Sequence, residues 1–220
     1  MEITTSGLYR ISECLAWSDS HILIAPDVKV AIYDDRGWML KIEVSNDAHL
    51  DYFSFFSAEE WYDIHFLKEI HLVWDRATAA VNSLNYGEEN KINVRVVWES
   101  KANEGKLDIK ILSFAGQNAN IKIDGVLTVN AETTGNVWEL DEENIFLWET
   151  GKISGIPTLF VGTNDMEAWH ACRMERISDE KLFYLRSRGV GRENAFRIML
   201  EAKIKDLFKN LQDFDETFYN

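Results

Sequence analysis

From its start to about residue 165 the chain is punctuated rather than continuous. Short apolar or alternating segments recur at His21–Ala25, Val28–Tyr33, Trp38–Val44, Leu50–Phe56, Ile70–Trp74 and Ile92–Trp98. They continue at Leu107–Leu112, Asn120–Ile123, Leu127–Val129, Asn136–Leu140, Ile145–Trp148 and Thr158–Val161. In one of them Leu107, Ile109 and Ile111 alternate with Asp108 and Lys110, the period of 2 that suits a half-buried strand. Turn formers stand between the segments: Asp34-Asp35-Arg36-Gly37, Asn85-Tyr86-Gly87, Asn103-Glu104-Gly105 and Asp124-Gly125. This region therefore reads as mainly β. A long antiparallel meander satisfies the pattern, and so does a parallel β-helix with many short strands and tight corners. Periodicity does not separate them, and no repeat of fixed period is legible. One stretch reads differently: Ser57 as N-cap with Glu60 three residues on predicts a short helix over Ala58–Phe66.

The last fifty residues change character. Ser178 is a good N-cap, and Asp179 and Glu180 follow where the helix dipole favours negative charge. Leu182, Phe183, Tyr184 and Leu185 fill this short helix. Gly189, just after Arg186 and Arg188, predicts its left-handed stop. A second helix is predicted from about Arg192 to Leu211, with an apolar stripe of Ala195, Ile198, Met199, Ala202, Leu207 and Leu211. The closing DFDETFYN reads as frayed or docked in trans.

Composition narrows the function classes. With 46% hydrophobic and 27% charged residues the chain can bury a core, which excludes composition-driven disorder. No apolar run approaches the roughly 18 residues that span a bilayer, and the N-terminus lacks a secretory pattern. Two cysteines, Cys14 and Cys172, make no disulfide framework, so a reducing cytoplasm is the expected compartment. A net charge of -14 argues against nucleic acid and anionic membranes as partners. Residues 173–209 are the exception, with ten basic against six acidic residues. This is either an ordinary solvated helical face or a surface that meets an acidic partner.

Familiar chemical signatures are missing. There is no GxSxG, GxxxxGK[ST], HExxH or CxxC. Gly189-Val190-Gly191 lies between two helices and lacks the third glycine and the preceding strand of a phosphate loop. His21, His49, His65 and His71 share no ligand pattern. His170 differs, because Cys172 is two residues on and i, i+2 side chains share a face in extended chain. Imidazole and thiolate together suit iron, zinc or an iron–sulfur cluster, yet two ligands do not complete a site. The competing reading is a buried cysteine beside a hydrogen-bonded histidine. Eight tryptophans scatter singly over different segments, as core and interface packing would have them.

The run from Pro157 to Ile204 resembles the C-terminal region of the SufB/SufD family of iron–sulfur cluster assembly proteins. The matching features are a strand near Pro157, an acidic turn at Asn164-Asp165 and a strand carrying His170. After these come the helix Phe183-Tyr184-Leu185-Arg186-Ser187-Arg188-Gly189, in the family's FYL-x-SRG pattern, and a final helix from Ala195. Residues 114–150 resemble the family's last β-helix coils.

The resemblance implies a right-handed parallel β-helix with a C-terminal pair of α-helices, divided into a cap segment at 1–27, a β-helix core at 28–177 and a helical region at 178–220. It implies a non-enzymatic scaffold role, with a SufC-type ABC ATPase docked on the helices through Phe183, Tyr184, Leu185, Arg186, Arg188 and Gly189. A SufB-like subunit or a second copy is the other implied partner. His170 matches the histidine that faces the subunit interface in SufD-type members. This makes it the candidate ligand for a transient iron–sulfur cluster, with Cys172 a second candidate metal ligand that maps to no family position. No stable cofactor is expected on the isolated chain. The family's N-terminal helical region has no counterpart, so the first 25 residues or a partner must cap the stack. No cysteine stands in the strand before Pro157, and Ala171 stands where SufB-type members carry glutamate, which favours a SufD-like role. The alternative is a β-helical binding module without cluster chemistry.

Overall fold

The computed structural model describes residues 1–16, 20–35, 39–58, 64–177 and 179–213. Expectations for Arg36-Gly37, Trp17, Trp38, Trp61, the Ser178 cap and the last seven residues lie outside these. The strands are β1 (Glu2–Ile3), β2 (Gly7–Arg10), β3 (His21–Ile24), β4 (Lys29–Asp34), β5 (Leu40–Val44), β6 (His49–Ala58), β7 (Ile64–Leu72) and β8 (Thr78–Gly87). They continue as β9 (Lys91–Ser100), β10 (Lys106–Ala115), β11 (Asn120–Val129), β12 (Asn136–Phe146), β13 (Lys152–Ser154), β14 (Thr158–Val161) and β15 (Met166–Arg176). A one-turn helix α1 (Ile11–Cys14) precedes β3, and α2 (Asp179–Ser187) and α3 (Arg192–Leu207) follow the last strand.

The strands alternate between two sheets. One runs β1-β3-β5-β7-β9-β11-β13, with β14 beside the far half of β11; the other runs β2-β4-β6-β8-β10-β12-β15. Every pairing is parallel, so each strand pairs with the next coil and not with its sequence neighbour. That excludes the meander. The chain is a parallel β-helix.

Register explains why these residues form this stack. Along the second sheet Leu50, Ala79, Leu107 and Trp138 are successive partners, and all are buried in the lumen. In the first sheet the lumen face carries Ile70, Trp98 and Leu127 in register. A parallel sheet keeps like residues in contact from coil to coil, so the apolar columns bury one another. Trp98 and Trp138 are fully enclosed. Gly125, expected in a turn, sits inside β11, where a Cβ would come within 3.1 Å of the Trp98 ring. It is a close-approach glycine, and β11 is one strand rather than two. Likewise β12 is continuous across 136–146, and Asn85-Tyr86-Gly87 ends β8 rather than forming a turn.

The corners repeat in geometry. Asp27, Asp47, Arg76, Glu104 and Gly135 all have φ between 55° and 65°. Each donates its backbone N–H to a carbonyl of the next coil, at Asn46, Asp75, Asn103, Thr134 and Asp165. The predicted turn at Asn103-Glu104-Gly105 is one of this series. Buried Asn136 ties the neighbouring corner: its Oδ1 accepts from Ser100 Oγ at 3.3 Å and Gly105 N–H at 3.1 Å, while Nδ2 donates to Ala102 O.

The lumen holds one buried ion pair. Lys68 pairs with Asp34, which also accepts the Tyr52 hydroxyl at 2.5 Å; all three residues are at most 2 % exposed. Burial pushes the Lys68 ammonium below its usual range, with Asp34 pulling it back, and pushes the Tyr52 phenol well up.

Ser57 and Ala58 finish β6 and Ile64 opens β7, so the flanks of the predicted 58–66 helix are strand; residues 59–63 lie outside the described residues. The two C-terminal helices form as expected. The second packs on the outer face of the β2–β15 sheet, where Phe53, Leu84, Leu112, Phe114 and Ile145 make a second apolar cluster with Leu207, Phe208 and Leu211. Its predicted stripe is partly displaced. Ala195, Leu207 and Leu211 are buried, but Ile198 and Ala202 are exposed, and Leu200 and Ile204 take the sheet side. Apolar residues lie on both sides of this helix, and the curvature of the sheet, which periodicity does not encode, selects the face.

Candidate functional site: the open end and the helix surface

Two regions carry the candidate residues. The first is the C-terminal end of the stack, where β15 pairs with β12 and no described strand covers its other edge. In register, His170 lies beside Leu140 and Cys172 beside Glu142. Leu140 and Glu142 are buried on the lumen side, so His170 and Cys172 share that face, as the i, i+2 spacing predicts. Both are exposed, because the lumen there has no further coil over it. The buried-cysteine reading is therefore corrected: Cys172 is at the surface. Met174 on the same face is an exposed apolar residue, as are Trp169 on the opposite face of β15 and Leu159, Phe160 and Val161 on β14.

Beneath them lie two residues that sequence reasoning passed over. Glu142 is 4 % exposed and Asn144 2 % exposed. Burial pushes the Glu142 carboxyl up, with His170 and the Cys172 thiol drawing it partly back. Burial, then the Glu142 charge, pushes the Cys172 thiol up; Asn144 Nδ2 donates to its sulfur at 3.6 Å. A raised thiol is a poorer ligand and nucleophile than a thiolate, which separates Cys172 from reactive cysteines. Among the described residues no group of three or more His, Cys, Asp or Glu converges to hold a metal ion. The only signal for Glu142 and Asn144 was their even spacing from Leu140 within an alternating strand.

The second region is α2. Gly189, at φ 86°, accepts the helix end: its N–H reaches Arg186 O at 3.0 Å and the Val190 N–H reaches Leu185 O at 3.2 Å. This pair of bonds is a Schellman stop. Leu182 is buried, Leu185 is half-buried, and Phe183 and Tyr184 are 68 % and 63 % exposed. Arg186 and Arg188 are exposed, and the Arg188 guanidinium lies 5.3 Å from the centre of the Tyr184 ring. The six residues expected at a docking surface thus lie on one short element, two of them with bare aromatic rings. Lys203 of α3 bridges to Glu143 on β12 and, at 3.3 Å, Glu175 on β15, which anchors the helices to the last coil.

Among the described residues no helix is long and apolar enough to cross a membrane.

Comparison with known proteins agrees with this architecture. Residues 39–203, well over half of the chain, match the family model for the SufBD core domain of SUF-system FeS cluster assembly. The chain is similar to the iron–sulfur cluster assembly protein SufD of Escherichia coli, 24% identical over 143 residues, covering 63% of this chain and 33% of that protein. An iron–sulfur cluster assembly SufBD family protein of Mycobacterium leprae is 31% identical over 88 residues, covering 40% of this chain and 22% of the relative. One from Archaeoglobus fulgidus is 35% identical over 78 residues, covering 34% and 21%. These matches span a third or less of each relative's length. By its family match over 39–203 and its parallel β-helix, the chain belongs to the SufBD core-domain family.

Proposed function

We propose that this chain is a SufD-like, non-catalytic scaffold subunit of an iron–sulfur cluster assembly complex. The observation that carries the reading is the lumen end that no described strand covers, where His170 stands exposed on the same face of the edge strand β15 as the bare Met174. An unpaired edge with exposed apolar residues is what a partner strand or end face covers. We assign that partner as a SufB-like subunit or a second copy of this chain. The nascent cluster is cargo at that junction: His170 supplies one ligand and the partner supplies cysteines. Cys172, with its raised thiol, contributes less. The isolated chain then holds no stable cluster, since a site needs about four ligands.

The exposed Phe183 and Tyr184, flanked by Arg186 and Arg188, support docking of a SufC-type ABC ATPase on α2. Aromatic and arginine side chains are the commonest anchors of protein interfaces. A complex reconstituted anaerobically tests both halves. His170→Ala should lower iron content while assembly survives, and Cys172→Ser should change it less. Tyr184→Ala with Arg188→Glu should abolish ATPase binding with an unchanged circular-dichroism spectrum. Equal iron in parent and His170→Ala complexes would favour a β-helical binding module without cluster chemistry. A double variant that still binds the ATPase would move the docking surface elsewhere.

A further inference from the structure

A column of polar side chains runs through the lumen. It begins at the Lys68–Asp34 pair and the Tyr52 hydroxyl bound to Asp34. Ser54 is two residues beyond Tyr52 on the same face of β6, and its partner on β8 is Ser83. Asn85, on the lumen face of β8 with Ser83, donates through Nδ2 to Ser113 Oγ on β10 at 3.3 Å. Ser113 is in register with Asn144 on β12, and Asn144 donates to Cys172 on β15. Six consecutive strands of one sheet thus contribute neighbouring polar side chains. Five strand spacings of about 4.8 Å make the column about 24 Å long.

Five oxygens along it have no hydrogen-bond partner among the described residues: Ser54 Oγ, Ser83 Oγ, Asn85 Oδ1, Asn144 Oδ1 and Glu142 Oε1. Their residues are all at most 4 % exposed. On the opposing sheet Ile92, Val94, Ile121 and Ile123 are hydrocarbon, and the one indole N–H there, of Trp98, has no partner among the described residues. The backbone N–H groups are committed to the ladders. Buried acceptors left dry are costly, and single examples are tolerated; five in one connected row are not explained by packing. Water is the ligand class that fits, because it donates to carbonyl and carboxylate oxygens and both donates to and accepts from hydroxyls.

We propose that a file of ordered water molecules runs along this column, entered at the open end beside Cys172 and reaching inward toward the Lys68–Asp34–Tyr52 group. The file stands on the orphaned oxygens alone and does not depend on the scaffold reading. Its consequence is that the deepest charges of the protein connect through hydrogen bonds to the end face.

A high-resolution crystal structure of the full chain tests it, together with thermal unfolding. Water oxygens are expected within about 2.6–3.2 Å of Ser83 Oγ, Asn85 Oδ1 and Asn144 Oδ1. Ser83→Ala, too small a change to block folding, removes one water partner and should lower the unfolding temperature by about 2–4 °C. In a dry column the same substitution deletes an unpaired hydroxyl and raises the unfolding temperature. Either an empty lumen at all three oxygens or a higher unfolding temperature for Ser83→Ala overturns the proposal.

Discussion

Lys68→Met isolates the energetics of a charge inside a β-helix. In the parent, the Lys68 ammonium and Asp34 carboxylate face each other in the lumen, Tyr52 donates to the same carboxylate, and Lys68 is 2 % exposed. Methionine matches the length of the lysine stem and packs on Phe56, whose ring the ammonium now overlies at 5.6 Å. Packing is therefore nearly conserved, and the loss is electrostatic. Removing one member of a buried ion pair costs about 3–5 kcal/mol, because the other charge is left uncompensated. For a chain of this size that is a fall of about 6–20 °C in unfolding temperature. Asp34→Asn with Lys68→Met removes both charges and keeps an acceptor for Tyr52, so the double variant should be more stable than Lys68→Met alone. The assay is urea or thermal unfolding of parent, both single variants and the double variant near pH 7. A Lys68→Met protein within about 1 kcal/mol of the parent would refute the reasoning, since the pair would then contribute no more than a surface salt bridge. So would a double variant less stable than the sum of its singles.

Other outcomes follow from the same contacts. Phe208, 4 % exposed and 6.0 Å centre to centre from Phe53, holds the C-terminal helices on the outer sheet. Phe208→Ala should cost about 3–5 kcal/mol in urea unfolding and speed proteolysis after the last strand; an unchanged midpoint would mean the helices dock by Leu207 and Leu211 alone. Glu43 is held below the usual carboxylate range chiefly by its hydrogen bond from Lys41. The unfolded chain then takes up protons first as pH falls, so the stabilisation is present above the ordinary glutamate pKa and is lost as pH drops through the folded value. Glu43→Gln should be less stable than the parent near pH 7, and the gap should close as pH falls through the folded value; a gap that persists in stronger acid would mean the contact is steric.

The sequence announced strands wherever apolar residues alternate with charged ones, as at Leu107–Leu112, and it announced the first helix by its Gly189 stop and the second by its apolar residues. It hid β8, because Thr78–Gly87 buries Asn82, Ser83 and Asn85 where a strand rule expects apolar residues. Periodicity hid β15 as well, since an end strand with every middle residue exposed needs no alternation, and only the family resemblance placed a strand at His170. The repeat was invisible for a different reason. What recurs at each corner is a left-handed φ and a hydrogen bond to the next coil, and the residues that supply it are Asp, Asp, Arg, Glu and Gly. Geometry repeats there while chemistry does not, and a search for recurring letters sees only chemistry.

The candidate site divides the same way. His170 and Cys172 were legible because spacing alone puts i and i+2 on one face of an extended chain. Their exposure was not, because it depends on where the stack stops. Glu142 and Asn144 were hidden because their significance comes from the coil above, 28–30 residues away, through the register that sets Glu142 beside Cys172. That register also changes the chemistry. Burial and then the Glu142 carboxylate beside it push the Cys172 thiol up, in keeping with its place behind His170 as the second candidate. In a β-helix the neighbour that tunes a side chain is the residue one coil away, and sequence proximity alone does not reveal it.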